Sequence, residues 1–138
     1  MKKDIYCFLI DDDDDDRKIF GIALQKIDKD IEFGYASNGI DAIEDLRCAK
    51  RVPDYIFLDL NMPKMTGVEC LIELKKISNI VDVPIIIYST TINESIIYDT
   101  LRDGAFDHIE KPHKIETLVL YLKRVLQIKN HEIDIKVD

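Results

Sequence analysis

Residues 84–88 read Pro-Ile-Ile-Ile-Tyr, a run that is apolar throughout. A strand with one exposed face alternates between apolar and polar residues, whereas a strand that is covered on both faces does not alternate. The run is therefore typical of a strand inside a parallel sheet, with helices packed against both of its faces.

Four further apolar runs, rich in Ile, Phe and Tyr, are flanked by Asp, Gly, Pro or Asn and are also predicted strands. They are Tyr6–Ile10, Ile31–Ala36, Tyr55–Leu58 and Phe106–Ile109. No strand follows another directly, because apolar residues at helical spacing lie after each run. These stripes are Ile19/Phe20/Ala23/Leu24/Ile27, Ile43/Leu46, Val68/Leu71/Leu74, Ile97/Tyr98/Leu101 and Ile115/Leu118/Val119/Leu122/Val125/Leu126.

The strand–helix unit is therefore predicted five times in succession. Such an alternation predicts an α/β fold, a doubly wound sheet of five parallel strands with five helices on its two faces. The length of 138 residues suits one domain with a single core, and the 46% of hydrophobic residues excludes a disordered chain.

The net charge of −8 is concentrated in one place, since the aspartates of residues 11–16 supply six of the negative charges. The remainder is nearly balanced and has no general basic patch, so direct binding to nucleic acid is not expected. Cys7, Cys48 and Cys70 are odd in number and lack metal-ligand spacing, which favours buried free thiols in a reducing compartment. The apolar runs are too short for a membrane helix or a signal peptide, so we expect a cytoplasmic protein that does not associate with membranes.

Polar side chains follow four of the predicted strands where each strand ends. Asp11 and Asp12 follow the first, Asp59 the third, Ser89 and Thr90 the fourth, and Lys111 the fifth. Ligands of such sheets bind beyond the carboxyl ends of the strands, so these side chains are expected to meet. Clustered carboxylates need a counter-charge, and Mg²⁺ with oxygen ligands is the natural one. A carboxylate is also a competent nucleophile toward phosphorus.

With these residues the sequence resembles a response-regulator receiver domain of two-component signalling, the CheY-like family. The resemblance covers essentially the whole chain. It implies a flavodoxin-like sheet in the order 2-1-3-4-5, a receiver domain over residues 1–129 and a short polar tail over residues 130–138. The motifs that carry it are Ile10-Asp11-Asp12, Asp59-Leu-Asn-Met-Pro-Lys-Met-Thr-Gly67, Ser89 and Glu110-Lys111-Pro112.

The resemblance implies that Asp59 is the phosphoacceptor and that Asp11, Asp12 and Asp59 hold Mg²⁺, to which Asn61 lends its backbone carbonyl. A histidine kinase or a histidine phosphotransfer protein would donate the phosphoryl group. The chain would then act as a signalling switch through an unidentified downstream protein. It would not be an enzyme beyond catalysing its own phosphorylation and slow hydrolysis of the aspartyl-phosphate.

Ser89, with Thr90 beside it, matches the switch hydroxyl, and Lys111 matches the lysine that pairs with the phosphoryl oxygens. In the family, phosphorylation remodels the face formed by the fourth helix, the fifth strand and the fifth helix. His108, Tyr98 and Tyr121 are the candidates for this output face. His108 stands where the family commonly has an aromatic residue, often Tyr.

Other interpretations compete for the same residues. An EF-hand loop starting at Asp11 would need Gly and Glu where Asp16 and Ile22 stand, so it is excluded. A hydrolase of the haloacid-dehalogenase type would need a second Asp where Asn61 stands. A receiver-like module that binds partners without being phosphorylated stays open. So do Asp59 as an ordinary turn residue and the Ser-Thr-Thr run at 89–91 as a helix cap.

The run of six aspartates is predicted to divide into two parts. Asp11 and Asp12 lie at the strand end, where metal ligands belong. Residues 13–16 lead into the first helix, where carboxylates cap free backbone N–H groups and complement the helix dipole.

Overall fold

The computed structural model describes residues 4–127, which form one sheet covered by helices on both faces. The five strands are β1 (Tyr6–Ile10), β2 (Glu32–Ala36), β3 (Tyr55–Leu58), β4 (Ile85–Ser89) and β5 (Asp107–Glu110). The five helices are α1 (Asp14–Ile27), α2 (Gly39–Arg47), α3 (Gly67–Leu74), α4 (Glu94–Arg102) and α5 (Ile115–Val125).

All strand pairs are parallel, and the strand order is β2-β1-β3-β4-β5. The predicted fold class and strand order are therefore confirmed. The strands predicted at Tyr6–Ile10 and Tyr55–Leu58 have the observed bounds, and the other three begin one residue later than predicted. The predicted tail over residues 130–138 lies outside the described residues.

Strand β4 shows why the run at 84–88 has no polar residue. All five of its residues are buried. Ile85 and Ile87 pack into the core that includes residues of α2 and α3, whereas Ile86 and Tyr88 pack into the core that includes residues of α1 and α5. Because both faces of the strand are covered, alternation would place a polar side chain in one of the two cores.

Helix α4 does not bury the stripe that its spacing suggested. Tyr98 is 69% exposed and Leu101 is 48% exposed, and the one buried residue of this helix is Thr100. The Thr100 hydroxyl donates a hydrogen bond to the Ile96 carbonyl at 2.6 Å, so its polar atom is satisfied inside the helix. The buried side of α4 is therefore centred on a residue that a count of apolar positions passes over.

Gly67 allows helix α3 to begin close to the end of β3. A Cβ at this position would lie 2.4 Å from the Asp59 carbonyl oxygen and 2.5 Å from the Leu60 Cα. The Gly67 N–H donates to the Leu60 carbonyl at 3.0 Å, which closes the loop after β3. Because those neighbours are backbone, a side chain here would displace the loop that carries Asp59.

Within residues 4–127, no helix has the length and apolar character that a membrane span requires.

Candidate functional site

The sheet holds three of the predicted site residues by backbone hydrogen bonds that extend one residue past the strands. The N–H of Asp11 donates to Ala36, that of Asp59 to Ile10, and that of Lys111 to Ser89. Their side chains therefore start from fixed points on the carboxyl edge of the sheet. Asp11 and Ser89 are fully buried and Asp59 is 5% exposed, so this edge forms a cleft that excludes most water.

Three carboxylates form the acidic part of this cleft. Asp11, Asp12 and Asp59 each offer one oxygen atom, and these atoms all lie within 4.8 Å of one another. Asp12 is exposed while the other two are buried, so the group opens to solvent on one side. A cluster of hard oxygen donors with an open side suits a divalent cation such as Mg²⁺, which keeps several of its waters.

Lys111 supplies the positive charge opposite these carboxylates. Its Nζ lies 2.8 Å from Asp11 Oδ2, 2.8 Å from Asp16 Oδ2 and 3.8 Å from Asp59 Oδ1. It also lies 5.1 Å from the centre of the Tyr88 ring. Burial lowers the pKa of Lys111, but the hydrogen bonds to Asp11 and Asp16 outweigh burial and raise it, so the ammonium is charged at neutral pH.

One ammonium does not offset the negative charge that surrounds Asp59. Burial and the Asp11 charge raise the pKa of Asp59 to about 6, although Lys111 opposes the shift. Burial also raises the pKa of Asp11, against the hydrogen bond from Lys111. The ionised cleft is therefore short of positive charge, which a bound cation would supply.

The loop between β1 and α1 fixes the orientation of Asp11. Its Oδ1 accepts from the Asp13 N–H at 3.0 Å, and its carbonyl accepts from the Arg17 guanidinium at 2.9 Å. Asp13 caps helix α1 by accepting from the Asp16 N–H at 2.9 Å. The prediction that residues 13–16 lead into a capped helix is therefore confirmed.

Ser89 has a buried Oγ with no hydrogen-bond partner among the described residues. An unpaired buried hydroxyl is costly, and it is a ready donor to an oxygen that enters the cleft. Asn93 caps helix α4 by accepting from the Ile96 N–H, so the interpretation of residues 89–91 as its cap is wrong. Thr90, beside Ser89, is exposed.

Asn61 lies beside the predicted phosphoacceptor. Its backbone N–H donates to Asp59 Oδ1 at 3.4 Å, and the residue is exposed. Its predicted role, a carbonyl ligand of Mg²⁺, stays a prediction.

The three output-face candidates differ in exposure. Tyr98 is 69% exposed and Tyr121 is 38% exposed. His108 is half-buried, and its Nε2 lies 2.6 Å from the Thr100 hydroxyl, which joins β5 to α4. Burial lowers the pKa of His108, against the charge of Asp107. An output role for these residues stays a prediction.

The sequence prediction missed two side chains that contact Lys111. The sequence pattern places Asp16 only at the start of the helix and Tyr88 only in an apolar strand, yet both side chains contact Lys111. Neither residue belongs to one of the recognised sequence motifs. Whether these two side chains reach Lys111 depends on the direction in which they leave the first turn of α1 and the end of strand β4. The spacing of residues in the sequence does not give that direction.

The fold and the site define a class of protein: a doubly wound α/β domain with clustered carboxylates and a largely buried lysine at the carboxyl edge of its sheet. The sequence model of the response regulator receiver domain matches residues 7–123. The chain therefore belongs to the response-regulator receiver domain family of two-component systems.

Individual relatives agree with this assignment. The chain is 32% identical over 92 residues to the chemotaxis protein CheY of Thermotoga maritima, which covers 67% of this chain and 73% of that protein. It is 28% identical to the cyanobacterial phytochrome response regulator RcpA, whose structure is of the phosphorylated form. The TM-score is 0.80, with 89% of this chain and 91% of that chain covered. Chemotaxis protein CheY4 of Vibrio cholerae is also 28% identical, with a TM-score of 0.78 and coverage of 89% and 99%.

Several relatives are much longer. The sensor histidine kinase CheAY of Helicobacter pylori is 27% identical over 129 residues. That match covers 94% of this chain and 16% of the kinase. Across the first three curated relatives, the chain spans 16% to 31% of their length.

The raised pKa of Asp59 predicts an effect on stability. The folded pKa of about 6 exceeds the unfolded value of about 4, so ionised Asp59 costs stability that accumulates as pH rises between these values. Asp59→Asn removes this cost. Without divalent cations we expect the variant to be more stable at pH 7, by up to about 3 kcal/mol, and to lose this advantage near pH 4.

Urea denaturation in EDTA, followed by circular dichroism at several pH values, measures the difference. Asp15→Asn is the matched control, because this substitution removes the same charge from an exposed position. A stability gain for Asp59→Asn that does not depend on pH, or that equals the gain of the control, would contradict the assigned burial cost.

Proposed function

We propose that this receiver domain is a phosphoacceptor switch in which Asp59 takes up a phosphoryl group with the help of Mg²⁺. The observation that carries the proposal is the surroundings of Asp59. A buried carboxylate with a raised pKa lies within reach of two further carboxylates and the ammonium of Lys111. A nucleophile, a cation-binding group and a donor for phosphoryl oxygens are the parts that phosphoryl transfer needs.

In the transfer step, a carboxylate oxygen of Asp59 attacks the phosphorus atom of a phosphohistidine or a small acyl phosphate. The new O–P bond forms as the bond from phosphorus to the imidazole nitrogen or acyl oxygen breaks. The leaving group keeps the electron pair of that bond, and the imidazole takes a proton from water. The ionised carboxylate is a much stronger nucleophile than the neutral acid, so Asp59 reacts in its deprotonated form.

The residues of the cleft have separate roles in this step. Asp11, Asp12 and Asp59 would hold the metal, with the Asn61 carbonyl as a further ligand. Mg²⁺, when bound, supplies positive charge to the oxygens of the transferring group. Lys111 donates to one phosphoryl oxygen, and the Ser89 hydroxyl, with Thr90 beside it, donates to another. Lys111 is held by its hydrogen bonds to Asp11 and Asp16 before the phosphoryl group arrives, which reduces reorganisation.

The same residues favour storage of the phosphoryl group over rapid hydrolysis. Asn61 stands two residues after Asp59, where a hydrolase of the haloacid-dehalogenase type has an acid/base carboxylate. An amide does not take a proton from an attacking water at neutral pH. The phosphorylated state would therefore last long enough to be read by another protein, and the chain would be a switch and not an enzyme with an external substrate.

Receiver domains interact with histidine kinases and with downstream effectors. For this chain we propose a histidine kinase or a histidine phosphotransfer protein as the donor. We propose an output face around Tyr98, His108 and Tyr121, where two of the three side chains are well exposed. The phosphorylated form of RcpA, at 28% identity, supports the phosphoacceptor assignment.

The proposal predicts a single, site-specific modification. Incubation with a small acyl phosphate and Mg²⁺ should add the mass of one phosphoryl group, and fragment mapping should locate it at Asp59. Asp59→Asn should show no increase, because an amide is not a nucleophile toward phosphorus. Asp15→Asn, which removes the same charge from an exposed position, should be labelled like the unsubstituted protein. Labelling of Asp59→Asn to the same extent would refute the assignment.

The metal assignment predicts which aspartate determines Mg²⁺ affinity. Asp12→Ala should lower the affinity by about tenfold or more, since it removes one of three carboxylate ligands. Asp15→Ala should lower it by less than about threefold, through long-range electrostatics alone. Isothermal titration calorimetry without any phosphodonor gives both values. Equal losses in the two variants would show that the run of aspartates attracts cations diffusely and does not contain a defined site.

A further inference from the structure

A fourth carboxylate reaches into the cleft from helix α1. Asp16 Oδ2 accepts a hydrogen bond from Lys111 Nζ at 2.8 Å, the distance at which Asp11 Oδ2 also accepts one. Asp59 Oδ1 is farther from the same nitrogen, at 3.8 Å. The Lys111 side chain is 9% exposed and that of Asp16 is 30% exposed, so the Asp16–Lys111 pair is largely shielded from water.

We propose that Asp16 is a positioning residue for phosphoryl transfer and that it acts through Lys111. This inference rests on the proposed function. A lysine ammonium has three N–H donors at tetrahedral angles. Asp11 and Asp16 take two of them, which fixes the position and the rotation of the ammonium. The third donor remains for the phosphoryl group on Asp59, whose own oxygen lies beyond hydrogen-bond distance.

Asp11 alone cannot hold Lys111 throughout the reaction. Its Oδ1 already accepts from the Asp13 N–H, and its carboxylate belongs to the three-carboxylate group proposed for the cation. A divalent cation there would compete with the ammonium for Asp11 and would repel it. Asp16 lies outside that group, so it can retain Lys111 in the cleft while Asp11 binds the cation.

The neighbours of Asp16 make it a fixed partner. Its backbone N–H is bound by the Asp13 side chain, which places it in the first turn of α1. The Tyr88 ring lies 5.1 Å from Lys111 Nζ and adds a further favourable contact for the cation. Asp16 is not needed as a cap, because Asp13 already has that role.

A double-mutant cycle tests whether Asp16 acts through Lys111. The rate of Asp59 labelling by a small acyl phosphate at saturating Mg²⁺ is measured by intact mass for four proteins: unsubstituted, Asp16→Asn, Lys111→Ala and the double variant. We expect Asp16→Asn to slow labelling by about five- to twentyfold, as expected for the weakening of one charge-assisted hydrogen bond. In the Lys111→Ala background the same substitution should change the rate by less than about twofold.

Asp15→Asn, made in both backgrounds, is the matched control. It removes one negative charge from the same helical turn, and the Asp15 side chain is exposed, with no hydrogen bond or ion pair to the other described residues. It should change the rate by less than about twofold in either background. If circular dichroism shows that Asp16→Asn or Lys111→Ala does not fold, Asp16→Ala or Lys111→Gln takes its place in the cycle.

The outcomes separate the two proposals. Labelling of the unsubstituted protein, with equal effects of Asp16→Asn in both backgrounds, would overturn the positioning role alone. The positioning role would also be overturned if Asp16→Asn had no effect on the labelling rate, or an effect no larger than that of Asp15→Asn. If the unsubstituted protein is not labelled at Asp59, the proposed function fails and the positioning role fails with it.

Discussion

The ammonium of Lys111 lies among three carboxylates in a cleft that excludes most water. Its Nζ is 2.8 Å from Asp11 and Asp16 and 3.8 Å from Asp59. Removing carboxylates from water is unfavourable unless charge or hydrogen bonds compensate, and here one cation serves more than one anion. The remaining imbalance appears as the raised pKa of Asp59, and the chemistry proposed for the site follows from that imbalance.

The fold is what holds this arrangement together. The largely buried central strands β1, β3 and β4 fix the carboxyl edge of the sheet, and backbone hydrogen bonds one residue beyond β1, β3 and β5 place Asp11, Asp59 and Lys111 on it. Gly67 keeps the loop after β3 close to the sheet. The imbalance of the site is thus electrostatic, and the backbone around it is already in place. A cation or the proposed phosphoryl group would therefore change the balance of contacts without first having to form the cleft.

The sequence was sufficient for the fold and for most of the cleft, for a physical reason. Runs such as 84–88 have no polar residue because both faces are covered, and strand-end residues converge because parallel strands share one carboxyl edge. The apolar stripe in α4 predicted the wrong buried face for this helix. The buried residue is Thr100, which a polar side chain does not suggest, and its hydroxyl is hydrogen-bonded within the same helix. The contact of Asp16 with Lys111 could not be predicted, because an aspartate in the first turn of a helix can equally point into solvent. Only the three-dimensional direction of its side chain shows that it enters the cleft.

The charge of the cleft is best measured at Asp59 itself. A ¹³C NMR titration of its side-chain carboxyl group, assigned by comparison with Asp59→Asn, gives its pKa with EDTA and with saturating Mg²⁺. We expect a pKa of about 6 without the cation, because burial and Asp11 disfavour the ionised form, and a clearly lower pKa with Mg²⁺. An ordinary carboxyl pKa near 4 that does not respond to Mg²⁺ would contradict this expectation.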